Sequence, residues 1–216
     1  MNYRIVLTLI TGYIFINVSA NLTVAKQISL FSGYEIPVGS LLYALSFTWI
    51  DLVNDYLGKQ KARMLVIATI IANVMMIVWL EFYVSLPGAS QWSVEKQKAI
   101  SFVLGGYWRI YIASIITNFI VENTDITIFH YVKYEKPNYP RWLRSVVSNT
   151  VSAPLDAALF ALIAFYGVLP NSVIISIILG GSFYKLLVGY ISTPFIYFVK
   201  SSDLYNREVI HDAKGL

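Results

Sequence analysis

The stretch VGSLLYALSFTWIDLVNDYLG, residues 38–58, decides the fold class of this chain. Its first part carries no charge and suits the hydrocarbon interior of a bilayer, yet Asp51 and Asp55 follow within the same run. A spacing of four places both carboxylates on one face of a helix. Because a charge facing lipid is costly, the stretch predicts a transmembrane helix whose acidic face is turned towards other helices.

The composition supports a membrane protein. Hydrophobic residues make up 57% of the 216 residues and charged residues only 13%, about half of the roughly 25% that is typical of soluble domains. Tyrosine and tryptophan stand at the ends of several apolar runs, as expected for anchors at the membrane interface. The net charge of +4 fits the loops of such a protein better than a nucleic-acid surface. The absence of cysteine excludes a disulfide framework and a thiol nucleophile.

Apolar runs of about 20 residues predict an all-α, polytopic membrane bundle of six transmembrane helices. The expected spans are roughly 4–31, 38–57, 64–86, 99–122, 143–167 and 172–199. The first is long, so it should tilt or break near Ser19–Asn21, and the fourth is expected to continue towards His130. Pro154 and Pro194 should kink the last two spans. A cleaved signal peptide ending at Ala20 is a weaker interpretation, because the apolar stretch continues beyond it.

The distribution of basic residues predicts the orientation. Eleven lysines and arginines fall on one side of six alternating spans, and only Lys96 and Lys98 on the other. Short cytoplasmic loops carry the excess of positive charge, so both termini are expected in the cytoplasm. The prediction is a multi-pass protein of the inner (plasma) membrane, with a single transmembrane domain over residues 1–200 and a short cytoplasmic tail over 201–216.

Ionisable residues inside the spans form the candidate site. Counting along each span places Asp51, Arg109, Asp156 and Lys185 near the membrane midplane, about 15–20 Å from the span ends. Each would cost about 2.5–3.5 kcal/mol if it faced lipid. They are either structural ion pairs, Asp51–Arg109 and Asp156–Lys185 or the swapped pairs, or the lining of a polar cavity for a small solute.

Four spans contributing charges at one depth favour the cavity. Asn21 and Lys26 lie above that level, so the predicted substrate-binding set has six members: Asn21, Lys26, Asp51, Arg109, Asp156 and Lys185. Residues that could support or gate the site are Asp55, Tyr107, Ser114, Asp125 and Ser148. Aromatic side chains around Arg109 either sandwich a planar ring or only pack. Asp55, one turn nearer the cytoplasm than Asp51, is expected to act as a gate or anchor paired with Arg63 or Arg144.

The motifs of common enzymes are absent. The sequence contains no HExxH, GxSxG or GxxxxGK[ST] pattern, so metalloprotease, serine hydrolase and nucleotide hydrolase chemistry have no signature here. A membrane enzyme would need a metal or nucleophile cluster, and the chain offers neither cysteine nor a paired histidine. The prediction is therefore a protein that is not an enzyme and holds no metal or cofactor, with a purely structural membrane subunit as a remaining alternative.

Several stretches together resemble a known family. They are ANLTVAKQISLF (20–31), WIDLVNDYLGKQKAR (49–63), WRIYIASIITNFIVENTDITIFHYVK (108–133), WLRSVVSNTVSAPLDAALFALIAF (142–165) and FYKLLVGYISTPF (183–195). In this order they resemble the queuosine precursor transporter family, also called vitamin-uptake-transporter-like. The residues that match its pattern are Asn21, Lys26, Asp51, Arg63, Arg109, Ser114, Asp125, Ser148, Asp156 and Lys185. Asp55 stands where family members often have glutamate.

The resemblance implies a function. It implies import of a 7-deazaguanine base, a queuosine or archaeosine precursor used in tRNA modification, through the polar cavity. The alternative is a vitamin- or nucleobase-binding subunit of an energy-coupling-factor importer, which needs a separate ATPase. A guanine-like edge presents two adjacent N–H donors that match one carboxylate, here Asp156 or Asp51. The expected partners are this planar base and the lipid bilayer, with no nucleic acid, and a homodimer is left open.

Overall fold

The computed structural model describes residues 2–24, 26–30, 34–89, 91–105 and 108–199. The elements are α1 (Tyr3–Leu22), β1 (Gln27–Leu30), β2 (Tyr34–Pro37), α2 (Gly39–Leu57), α3 (Lys59–Ser85), α4 (Val94–Leu104), α5 (Trp108–Glu135), α6 (Arg141–Phe165) and α7 (Asn171–Ser192), followed by a 3₁₀ turn (Thr193–Tyr197). Tyr107 and the expected tail over 201–216 lie outside the described residues.

The helical, multi-pass character is confirmed. Five segments of the described chain are long and apolar enough to cross a membrane: α1, α3, α4 with α5, α6, and α7 with the 3₁₀ turn. Helix α2 is not among them, because Asp51, Asn54 and Asp55 lower its hydropathy. It packs instead against α1, α3, α5 and α7 and forms the centre of the bundle. A sixth span and the cytoplasmic position of both termini remain predictions.

The first expected span, 4–31, is wrong in its last third. Helix α1 ends at Leu22, where the Thr23 hydroxyl donates to the Ser19 carbonyl at 2.9 Å. A hydroxyl that competes for backbone carbonyls favours a helix end. The chain then forms an antiparallel hairpin in which β1 pairs with β2. A break was expected near Ser19–Asn21, and it lies just beyond Asn21.

The hairpin packs closely on its neighbours at two glycines. A Cβ added at Gly39 would lie 2.1 Å from the Ala20 carbonyl oxygen, and one added at Gly180 would lie 2.8 Å from the Cβ of Tyr34. Because real Cβ contacts are longer than this, only glycine allows α2 to start beside α1 and β2 to lie against α7. The hairpin is therefore held against α7 through β2.

The remaining spans differ from expectation at their ends. Helix α3 begins at Lys59 rather than at 64, directly after Gly58, whose φ of 88° favours glycine. The expected span 99–122 is split into α4 and α5, and α5 continues past His130 as expected. Pro154 lies inside α6, whereas Pro194 follows the end of α7 and starts the 3₁₀ turn. Proline lacks the N–H that would continue the helix.

Apolar packing surrounds the bundle interior. One buried cluster, including Tyr13, Val53 and Phe129, joins α1, α2, α3 and α5. A second, including Ala161 and Ile177, joins α5, α6 and α7. Apolar side chains also cover the outer face of α3, which leaves the following residues exposed: Met64, Ile67, Ile71, Val74, Met75, Val78, Trp79 and Phe82. An apolar outer face with buried polar groups inside is the pattern expected of a bundle in lipid.

Candidate functional site

A cavity lies among α1, α2, α5, α6 and α7, next to the hairpin. The space within it, including the part that is open to the outside, is about 370 Å³. Its polar lining includes Asn21, Tyr43, Ser114, Asp156 and Lys185. Four of these were expected from the sequence, in the substrate-binding set or as supporting residues. Tyr43 was not.

An ion pair forms the charged wall of the cavity. The ammonium of Lys185 on α7 contacts the carboxylate of Asp156 on α6, and both side chains are buried, at 5% and 3% exposure. The Lys185 Nζ also lies 5.4 Å from the ring centroid of Tyr43 on α2. This is the range of a cation–π interaction. Side chains from three helices therefore meet at Lys185. Of the ion pairs considered from the sequence, Asp156–Lys185 is present.

An amide and a hydroxyl also line the cavity. The Ser114 hydroxyl on α5 donates to Asn21 Oδ1 at 2.5 Å, and Asn21 Nδ2 donates to Asn73 Oδ1 on α3 at 2.8 Å. Asn73 in turn donates to the Thr69 carbonyl of its own helix at 3.0 Å. These bonds fix the orientation of the Asn21 amide at the end of α1. Ser114 and Asn21 thus bring hydrogen-bonding groups to the lining of the cavity.

A second polar layer lies beneath the cavity. Glu122 Oε1 accepts hydrogen bonds from the Tyr43 hydroxyl at 3.4 Å and from the Ser46 hydroxyl at 3.1 Å. Asn118 Nδ2 donates to Tyr43 at 3.3 Å and to Asn17 Oδ1 at 2.8 Å. All of these side chains except Tyr43 are at least nine-tenths buried.

The candidate site predicted from the sequence did not include Asn17, Asn118 or Glu122. A signal was available in their spacing. Asn17 stands four residues before Asn21, and Asn118 four residues before Glu122. Polar residues at that spacing share one helix face, and in an apolar span that face should meet another polar face.

Asp51 lies outside the cavity lining. It accepts hydrogen bonds from Ser145 and from Ser148, the latter at 3.5 Å, and Asn149 supports Ser145 with a bond of 3.3 Å. The carboxyl of Asp125 lies next to that of Asp51. The structure therefore brings three expected residues together, Asp51, Asp125 and Ser148, but places them apart from Asp156 and Lys185.

Asp55 belongs to an ionic network at the far end of α5. Its carboxylate contacts Lys133 Nζ at 2.6 Å and an Arg141 guanidinium nitrogen at 2.5 Å. The expected partners make other bonds. Arg63 donates to the Thr127 hydroxyl at 3.0 Å, and Arg144 donates to backbone carbonyls of the loop before α6. Asp55 thus ties α2 to α5 and α6.

Lys26 and Arg109 do not line the cavity. Lys26 is exposed, and its carbonyl accepts from the Val38 amide at 2.7 Å beside the hairpin. Arg109 is the second residue of α5 and donates to the carbonyls of Ile163 and Tyr166, at 3.0 and 2.5 Å. A cation at the C-terminal end of α6 suits the helix dipole. Counting placed Arg109 near the membrane midplane because it assumed an unbroken span over 99–122. In the structure α5 begins at Trp108, so Arg109 lies at a helix end.

A bundle of apolar helices around a cavity with a charged wall defines a multi-pass membrane protein suited to interacting with a small polar molecule. Residues 37–199 match the family described as "Putative vitamin uptake transporter". The chain belongs to this family of membrane transporters, as the resemblance of its motifs indicated. The matched range contains Tyr43, Asp156 and Lys185 and leaves Asn21 outside. No curated protein and no solved structure matches the chain.

Proposed function

We propose that this protein imports a 7-deazaguanine base, a precursor of queuosine or archaeosine, through the cavity between α1, α2, α5, α6 and α7. The observation that carries the proposal is the buried Asp156–Lys185 pair in the cavity wall. A carboxylate accepts the two adjacent N–H groups of a guanine-like edge, and an ammonium donates to the neighbouring 6-oxo group. One ion pair therefore offers both halves of the required recognition.

The remaining lining fits a planar, polar ring. Asn21 and Ser114 present hydrogen-bonding groups to the cavity, and Tyr43 and Phe160 contribute aromatic surface. In the absence of solute, Lys185 and Asp156 neutralise each other, so that neither charge is left alone in the interior. The base would then take over part of the pairing as it enters.

Transport needs a path that opens on one side at a time. The ionic network of Asp55, Lys133 and Arg141 lies near the end of α5 that is predicted to be cytoplasmic. Ser114 and Lys133 are separated by about 28 Å along the helix axis at 1.5 Å per residue. We assign this network as the inner gate, which must separate α2 from α5 and α6 before the base is released.

The alternative is a substrate-binding subunit of an energy-coupling-factor importer. The family description, which names vitamin uptake, favours it. The two functions differ in their partners, because the subunit would require a separate ATPase and coupling protein. Uptake by the purified chain alone, reconstituted in vesicles without ATP, would exclude it.

Binding to the purified protein tests the proposed substrate. Thermal unfolding is measured with 7-cyano-7-deazaguanine, 7-aminomethyl-7-deazaguanine, guanine, xanthine and riboflavin. A ligand at a hundred times its Kd should raise Tm by about 5–10 °C for a chain of this size. We expect this shift with the deazaguanines in the wild type and in Glu81→Gln, whose carboxyl is exposed on α3, and not in Asp156→Asn. A shift with riboflavin alone, or an unchanged shift in Asp156→Asn, would contradict the proposal.

A further inference from the structure

A second set of acids lies in the bundle beyond the cavity. Asp51 on α2 and Glu122 and Asp125 on α5 are each 0% exposed. None of the three forms an ion pair with any lysine or arginine of residues 2–199 that the structure describes. The ion pairs of the bundle are made instead by Asp55 and Asp156. The interior thus holds three carboxyls that nothing in the described chain neutralises.

Other buried polar groups are directed at the same place. Ser148 and Ser152 on α6 lie beside Asp125. The Ser152 hydroxyl and the Asn149 side-chain oxygen, both at least 99% buried, have no hydrogen-bond partner among the described residues. The same is true of both carboxylate oxygens of Asp125. Buried polar groups normally have partners, and a proton carried by Asp125 would supply a donor to the oxygens around it.

Adjacent carboxyls have a defined chemistry. Asn54, one turn after Asp51, donates to the carbonyl of Ile126, the residue after Asp125, at 3.1 Å. Asp51 and Asp125 are therefore neighbours in an interior from which water is largely excluded. Two negative charges cannot both be held there, so such a pair retains one proton between its oxygens. Uptake of a proton neutralises the pair, and release of that proton restores the charge.

The surroundings of the pair contain further titratable groups. Glu122 lies one turn away on α5, with Tyr13 of α1 and Tyr43 of α2 near it. Asp156 of α6 is also close enough to interact electrostatically with Glu122. Helix α3 contributes Arg63, which is exposed and bonded to Thr127. The rest of the facing surface of α6 is formed by the neutral side chains of Ser145, Ser148, Asn149 and Ser152.

A continuous set of contacts connects the pair to the cavity. Asp125 and Glu122 share one face of α5, Glu122 accepts from the Tyr43 hydroxyl at 3.4 Å, and the Tyr43 ring faces the Lys185 ammonium at 5.4 Å. The charge on the pair therefore acts on the residues that line the cavity. Coupling of this kind is reciprocal, since a base bound at Lys185 must equally affect the proton.

We propose that Asp51 and Asp125 form a proton-binding site that drives uptake, with Glu122 and Tyr43 linking it to the solute cavity. This rests on the proposed function. A proton taken from the outer side neutralises the pair while the base binds. The proton then leaves to the cytoplasm when the base is released, and no bond of the base is made or broken. Inward movement of protons down their gradient thereby accumulates the base.

Reconstituted vesicles test this inference with radiolabelled 7-cyano-7-deazaguanine. Exchange of labelled for unlabelled base at equal pH reports binding and movement of the cavity. Accumulation with acid outside reports coupling, and one pH unit supports about tenfold accumulation if one proton accompanies each base. We expect both activities in the wild type and in the exposed-acid control Glu81→Gln. Asp125→Asn and Asp51→Asn should exchange within about twofold of the wild-type rate and fail to accumulate.

The outcomes separate the two proposals. Absence of exchange in the wild type would overturn the proposed substrate. Exchange in the wild type without a response to the proton gradient, accumulation driven by sodium instead, or full accumulation by Asp125→Asn would overturn the proton site. Exchange by the variants also shows that they are folded. If Asp125→Asn is inactive in both assays, Glu122→Gln provides the second variant, and full accumulation by it would overturn the assigned link to the cavity.

Discussion

Asp156 on α6 and Lys185 on α7 form a buried ion pair in the wall of the cavity. A buried pair contributes little net stability, because removing both charges from water costs about as much as their attraction returns. Full charges are also unusual as packing contacts between membrane helices, where small and neutral polar residues serve. The pair is therefore better explained by a role in binding a solute than by a contribution to the stability of the fold.

Replacing one member of the Asp156–Lys185 pair should destabilise the protein more than replacing both. Lys185→Met leaves the Asp156 carboxylate buried without a partner and should lower the free energy of unfolding by about 3–5 kcal/mol. The double variant Asp156→Asn, Lys185→Met should be close to the wild type in stability and unable to bind the base. Thermal unfolding of the purified variants measures this, and equal destabilisation of the single and double variants would contradict it.

Asn21 should contribute to affinity. Asn21→Ala removes the amide that faces the cavity and leaves the Ser114 hydroxyl without its acceptor, so base binding should weaken roughly tenfold. Asn123→Ala is the matched control, because among the described residues Asn123 donates only to the Phe119 carbonyl of its own helix. Titration calorimetry with 7-cyano-7-deazaguanine compares the two. Unchanged affinity in Asn21→Ala would show that α1 does not contribute to binding of the base.

The inner gate can be examined by labelling, because the chain has no cysteine of its own. Thr117 lines the cavity and its hydroxyl has no hydrogen-bond partner among the described residues, so Thr117→Cys is a mild change. Because residue 117 is buried, at 1% exposure, a membrane-impermeant maleimide should label this cysteine slowly while the gate is closed. Asp55→Asn, which weakens the ion pairs with Lys133 and Arg141, should raise labelling from the cytoplasmic side severalfold. No change in labelling would contradict the gate.

Two adjacent glycines give an internal comparison for the hairpin. Gly180→Ala would bring a Cβ to 2.8 Å from Tyr34 of β2, whereas a Cβ at Gly181 meets Ala157 at an ordinary 3.5 Å. We expect Gly180→Ala to destabilise the protein by about 1–3 kcal/mol and Gly181→Ala to be neutral or slightly stabilising. Thermal unfolding decides between them. Equal stability of the two variants would mean that β2 does not depend on this close approach.

Local composition was sufficient for the main part of the fold. Apolar runs located most of the helices, and counting along α6 and α7 placed Asp156 and Lys185 at one level, where the structure pairs them. The counting did not succeed for Arg109, because it assumed an unbroken fourth span. The hairpin after α1 was also missed, since its apolar side chains continue the hydropathy of the helix.

The partners of Asp51 and Asp55 could not be predicted in the same way. Depth along a helix follows from the sequence, but rotation about the helix axis is set by packing against neighbours. Asp51 faces Ser145 of α6 and Asp125 of α5 because of how α2 is rotated where it packs against α5. Asp55, one turn away, faces Lys133 and Arg141 rather than Arg63 or Arg144 for the same reason.

Uptake of labelled 7-cyano-7-deazaguanine by cells that produce the protein tests the central claim most directly. The measurement compares the wild type, Glu81→Gln and Asp156→Asn at equal amounts of protein in the membrane. We expect uptake above the empty-vector background in the first two and loss to background in Asp156→Asn. Background uptake in all three, or wild-type uptake in Asp156→Asn, would contradict it.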